Sequence, residues 1–184
     1  MILLGKSVFV HVPKTGGTWV GDAIGNSTAS SKRVSLHGGF DQIPKTHKGL
    51  FLFGFIRHPL TWYKSYFAHR IRYGWTESVL DKMCRSELFS EFIELSCVGY
   101  SGYMNRVLCA RYLNNCNFVG RFENIKEDLT AAMTGAGEEF SMDGIYETPP
   151  SNVGVYDSLN VEYTSRTKDL VLRSEKTVVE RWYS

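Results

Sequence analysis

The feature that most restricts the fold is a short apolar run broken by a glycine turn and followed at once by a helical pattern. Val8-Phe-Val-His-Val12 is β-branched and nearly continuous, the mark of a buried parallel strand. Pro13-Lys-Thr-Gly-Gly-Thr18 interrupts it, and Trp19, Val20, Ala23 and Ile24 then recur at helical spacing. A strand, a glycine loop and a helix in that order commit the chain to an α/β arrangement. Leu50–Ile56 reads as a second buried strand, stopped by Arg57-His58-Pro59, with a helix expected from Leu60 to about Tyr73 ahead of Gly74. Further helices are expected from Ser86, with Leu88, Phe89, Phe92, Ile93 and Leu95 as its apolar stripe, over Tyr103–Leu113, over Ile125–Met133, and from about Ser165 to Trp182. Asn117–Phe122 reads as a third core strand, Ser27–Ser31 and Glu147–Ser158 as loops. With no repeat and no dividing linker, the 184 residues are expected to form a single α/β domain. Its central, mostly parallel sheet should be flanked by helices and carry a P-loop-like strand-loop-helix.

Charge points toward an anionic ligand once it is resolved along the chain. The net charge of +2 hides ten lysines and arginines against two aspartates in residues 1–72, a balance of +8, and a remainder of −6. A basic half either binds an anion or is merely a solvated surface. The four cysteines (Cys84, Cys97, Cys109, Cys116) have neither a CxxC pair nor zinc-ligand spacing, and are expected to be reduced, mostly buried thiols. No stretch approaches the apolar length of a membrane span, and Met1–Leu4 lacks a signal peptide's basic start, so a cytoplasmic protein is the expectation.

The loop after the first strand is suited to phosphate. Consecutive backbone N–H groups from Lys14 to Thr18 would sit at a helix N-terminus, where the dipole favours an anion, with Gly16 and Gly17 allowing close approach. Lys14 adds a charge and Thr18 a hydroxyl. The same glycines would equally serve a tight turn with no ligand. A Walker A loop is excluded in its usual form, because Gly5-Lys6-Ser7 precedes the strand rather than following it.

Pro13-Lys-Thr-Gly-Gly-Thr-Trp19 resembles the 5′-phosphosulfate loop of sulfotransferases that use 3′-phosphoadenosine 5′-phosphosulfate (PAPS). Phe55-Ile-Arg57-His-Pro59 with Ser65 resembles the family's 3′-phosphate motif, and Phe118-Val-Gly-Arg-Phe-Glu-Asn-Ile-Lys-Glu-Asp-Leu129 its VGR-x-E-N-L-x-x-D-L segment. The three matches, in order, span about two thirds of the chain and are most like the small carbohydrate type of bacteria and phages. The resemblance implies that Lys14, Thr15, Gly16, Gly17 and Thr18 hold the phosphosulfate of PAPS, that Arg57 and Ser65 hold the 3′-phosphate, and that Trp19 stacks on adenine. A sulfuryl group would pass in line to a hydroxyl acceptor, expected to be a small molecule or glycan, with Lys14 stabilising the leaving group and no metal expected.

For the base there are two candidates, His37 in Leu-His-Gly-Gly and His47 in Lys-Thr-His, with His37 favoured because Gly38-Gly39 permits close approach. Phe122 is read as strand core, His11 as structural, His58 as a turn residue and His69 as part of a basic helix face. A closing loop would lie at Pro149–Asn152 and Tyr156–Ser158, without the family's usual basic residue. A nucleotide kinase, or a module that binds a nucleotide or anionic glycan without catalysis, are the competing readings. Nucleic acid and membrane insertion are not expected as partners, and oligomeric state is open.

Overall fold

Val8, Phe9 and Val10 are almost wholly buried, as an unbroken apolar run requires. They lie in β2 of a computed structural model that describes residues 1–151, 159 and 161–184. The strands are β1 (Ile2–Leu3), β2 (Ser7–Val10), β3 (Lys32–Arg33), β4 (Phe51–Ile56) and β5 (Phe118–Arg121). The helices are α1 (Gly17–Ser27), α2 (Pro59–Tyr73), α3 (Val79–Cys84), α4 (Phe89–Gly99), a π-helix (Met104–Leu113), α5 (Ile125–Gly135), α6 (Met142–Tyr146), α7 (Ser165–Ser174) and α8 (Lys176–Trp182). The protein is an α/β chain whose described residues group into two compact units, 1–57 with 108–151, and 58–107 with 159 and 161–184.

The first unit holds the sheet, in the order β3-β1-β2-β4-β5. Its three apolar strands are parallel, with Phe9 opposite Phe53 and Gly54 opposite Val119. The β3–β1 and β1–β2 pairings are antiparallel, Ile2 pairing with both Phe9 and Arg33, so the sheet is mixed. β1 and β3 were not anticipated, since two residues carry no periodicity. Gly5-Lys6 is the turn between β1 and β2, closed by the Leu4 N–H donating to the Ser7 carbonyl at 2.9 Å. That placement puts the GKS triplet in the turn of an antiparallel pair rather than between a strand and a helix, where a Walker A loop lies. On the sheet, Phe9, Phe53 and Phe55 pack with Val20 and Ile24 of α1, Leu129 and Met133 of α5 and Ile145 of α6 in one core. Burial of such side chains contributes about 1.5–3 kcal/mol each.

The second unit is helical. Trp62, Tyr63 and Phe67 of α2 are buried with Phe89, Phe92 and Ile93 of α4, the Phe67 and Phe92 rings 5.3 Å apart. α4 starts at Phe89 rather than Ser86, and its buried face is narrower than the expected stripe: Leu88 and Leu95 are exposed. The expected single C-terminal helix is two, broken at Glu175. This side chain is wholly buried and accepts hydrogen bonds from the Tyr63 hydroxyl at 2.8 Å and the Met104 N–H at 3.2 Å. A carboxylate is thereby placed at the start of the π-helix, where unpaired N–H groups need an acceptor.

Candidate functional site

The segment from His11 to Thr18 leaves the carboxyl end of β2 and turns into α1. Two residues take left-handed backbone there, Lys14 at φ +66° and Gly16 at φ +77°. Thr15 is wholly buried and its hydroxyl donates to the Val12 carbonyl at 3.0 Å, so this side chain braces the loop from within and is not presented as a phosphate contact. Gly16 occupies the cap position of α1, its carbonyl accepting the first helical bond from Val20 at 3.1 Å, and no side chain among the described residues caps the helix.

Both glycines are demanded by neighbours. A Cβ on Gly16 would stand 2.6 Å from Ile125 and 2.8 Å from Phe122; one on Gly17 would stand 2.0 Å from the His11 ring. The absence of side chains lets the protein's own groups close over the turn, on the side a Cβ would occupy. Thr18 lies half-buried on the first turn of α1.

Arg57 follows β4 at the same edge of the sheet, since β2 and β4 are parallel. Its Nη1 donates to the Lys14 carbonyl at 3.4 Å, and its guanidinium lies 4.1 Å over the Phe122 ring. Phe122 is thus shared between Gly16 and Arg57, and is half-buried in a 3₁₀ turn after β5 rather than a strand residue. Lys14, Gly16, Arg57 and Phe122 form one cluster at the carboxyl ends of three adjacent parallel strands. In open α/β sheets this edge is where ligands bind.

The two candidate bases separate cleanly. His37 meets the loop: its Nδ1 lies 3.3 Å from the His11 carbonyl, and the two imidazole centroids are 4.5 Å apart. A carbonyl only accepts, so Nδ1 carries the proton and Nε2 presents its lone pair. His37 is at the surface with one flank covered by His11. Desolvation there, with the positive charges of Met1's amino group, Lys14 and Arg111, outweighs the carbonyl contact and holds its pKa below the usual value. The lowered pKa favours the neutral ring that a base requires.

His47 lies in the 3₁₀ turn that leads into the opposite end of β4, where its carbonyl accepts from Leu50. At about 3.3 Å per residue the strand keeps it roughly 20 Å from Arg57. It borders a depression of about 340 Å³ with Phe40, Ile43 and Leu52, lined by none of Lys14, His37 and Arg57. Sequence proximity to Arg57 is misleading for His47, because an extended strand intervenes.

Trp19 also departs from expectation. It is 7% exposed, packs in the first unit's core and donates its indole N–H to the Thr148 carbonyl at 3.3 Å. Neither face is available for a base to stack on. Ser65 is half-buried on α2 and belongs to the second unit. In that unit the His58 ring accepts from the Leu60 N–H as the cap of α2, and His69 stacks near Tyr73 on the same helix. Ser151 is half-buried; Asn152 and Tyr156–Ser158 lie outside the described residues.

His11 is structural, as expected. It is 5% exposed, its ring sits beside the Leu36 backbone, and burial, reinforced by His37, Met1's amino group and Arg33, pushes its pKa down to about 3. Only its position directly before the loop could have signalled this. The cysteines are free thiols, with burial raising Cys84 to about 11 and Cys97 and Cys116 to about 12. Among the described residues no cluster of His, Cys, Asp and Glu could hold a metal, and no helix is long and apolar enough to cross a membrane. No protein-family model, curated protein or solved structure matches this chain.

Proposed function

We propose that the cluster at the carboxyl edge of the parallel strands binds the phosphosulfate and nucleotide of PAPS, and that the protein transfers the sulfuryl group to a hydroxyl acceptor, a carbohydrate by resemblance. The observation that carries this reading is the 3.4 Å contact between Arg57 and the Lys14 carbonyl, which joins two cationic residues beside the uncapped start of α1. The residues present fit an anionic nucleotide. The N–H groups of the first turn point along the helix dipole, Lys14 supplies a compact charge, and Arg57 supplies a planar fork suited to phosphate. Because Trp19 is buried, Phe122 is the aromatic ring best situated beside Arg57 to meet a base. Ser65 enters through the resemblance alone.

PAPS supplies a sulfuryl group on a phosphate leaving group. His37 takes the acceptor's hydroxyl proton on Nε2 as the new S–O bond forms. Lys14 stabilises the charge that collects on the departing phosphate oxygen as the old bond breaks. Isothermal titration with adenosine 3′,5′-bisphosphate tests the site directly. Saturable binding that weakens about 10-fold or more in Arg57→Ala is expected, since a charge-assisted contact contributes about 1.5–3 kcal/mol. Folded protein with no affinity for the bisphosphate would refute the reading. Affinity for magnesium ATP in its place would favour phosphoryl transfer.

A further inference from the structure

His11 lies within hydrogen-bonding and packing distance of everything the proposed base depends on. Its carbonyl accepts from His37 Nδ1, its ring stands 4.5 Å from the His37 ring, and the same ring sits beside the Leu36 backbone next to His37. On its other side the imidazole fills the space where Gly17 would carry a Cβ, and it stacks on Phe9 at 5.9 Å. One buried side chain thus touches the first turn of α1 and the segment bearing the base. We propose that His11 is a positioning residue for His37: it fixes the base's orientation and its Nδ1–H tautomer, and ties both to the glycine turn that would hold the anion.

The local chemistry supports this role. A buried imidazole that stays neutral can pack against a second imidazole without repulsion, whereas two imidazolium rings at 4.5 Å could not coexist at low cost. The charged groups around the pair are Met1's amino group just ahead of β1, Arg33 on β3, Lys14 in the loop and Arg111 on the π-helix. Arg33, Lys14 and Arg111 are cationic, and Met1's amino group, lowered to about 6 by its own burial and Arg33, joins them in acid, so each disfavours protonation of the rings. On the opposite side of the base segment, the Tyr112 hydroxyl lies 3.5 Å from the His37 carbonyl, giving the segment a second tether. An aliphatic residue in place of His11 could fill space but would offer no donor to the Leu36 backbone beside it.

The assignment rests on the proposed role of His37, and its test does not need PAPS or an acceptor. Long-range ¹H–¹⁵N spectra of the wild-type protein should show His37 in the Nδ1–H tautomer and titrating below the ordinary histidine value. A wild-type His37 that is an Nε2–H tautomer with an unshifted titration would overturn the proposal without any variant. In His11→Ala the His37 titration should rise by at least half a pH unit and its tautomer become mixed. His11→Gln, which retains a donor for Leu36, should restore the wild-type tautomer. Folded variants whose His37 spectrum matches wild type would refute the positioning role. If His11→Ala fails to fold, His11→Gln and the wild-type spectrum decide. Adenosine bisphosphate titrated into the same samples separates the two ideas. A His37 that responds to His11 in protein that binds no bisphosphate keeps the positioning role and removes the proposed function; bisphosphate binding with an indifferent His37 does the reverse.

Discussion

Gly17 carries no side chain because the His11 ring occupies the place of one. Gly17→Ala should therefore destabilise the protein by about 1–3 kcal/mol through overpacking, measurable by urea unfolding. Weaker bisphosphate binding should accompany it if the ring and the turn move together. Lys14 makes a different case, since its left-handed backbone is a conformation lysine rarely adopts. Lys14→Gly should relieve that strain and preserve or raise the melting temperature while lowering the proposed sulfuryl transfer about 10²–10³-fold, as expected when a charge opposite a developing anion is lost. Unchanged transfer in Lys14→Gly would remove the lysine from the mechanism. Trp19 and Thr15 show the limit of motif reading at this scale: both stand in the matching positions, yet the indole is in the core and the hydroxyl is bonded to Val12. A motif names residues, and the packing around each decides which atoms are presented.

At the scale of elements, the helices owe their ends to specific acceptors. Glu175 breaks the C-terminal pattern into α7 and α8 because its buried carboxylate serves the π-helix start and Tyr63. Burial raises its pKa, and the hydrogen bonds from Tyr63 and the Met104 backbone offset part of that rise. Glu175→Ala would strand those donors and should cost about 3 kcal/mol, whereas Glu175→Gln, which keeps an acceptor oxygen, should cost less than half as much in the same urea titration. α7 begins with a reciprocal cap, Thr164 accepting from the Thr167 N–H at 3.1 Å and the Thr167 hydroxyl accepting from the Thr164 N–H at 3.0 Å. Thr164→Ala should cost about 1 kcal/mol. Neither device was legible in the sequence as read. Glu175 sits in an apparently continuous helical pattern, and what distinguishes it is a partner far away along the chain.

For the whole molecule, stability should fall on the acid side of neutrality earlier than carboxylates alone dictate. His11 titrates near 3 when folded and near 6.5 when unfolded, so the unfolded chain binds the extra proton between those values. Stability is fully present above about pH 6.5 and is lost as the pH drops toward 3, by at most about 5 kcal/mol from this group. Asp81 adds a later loss. Burial raises its pKa, but hydrogen bonds from Thr76 and Tyr66 and the Arg70 ion pair at 3.0 Å more than offset that, so its net shift is downward and its contribution disappears only once the pH falls through the carboxylate range. Urea midpoints measured from pH 7.5 to 4 should decline from about pH 6.5 in the wild type, and this upper part of the decline should flatten in His11→Gln. The sequence alone determined the three parallel core strands and the glycine turn between β2 and α1, because apolar runs, glycine turns and helix periodicity are local properties; Arg57 entered as a candidate anion ligand through the resemblance. Tertiary structure alone decided that β1 runs antiparallel to both its neighbours, that His37 meets the turn while His47 does not, that Trp19 is core, and that the His11 ring packs against His37. Each of these depends on which distant segments share a strand edge or a packed face, and no stretch of neighbouring residues encodes that.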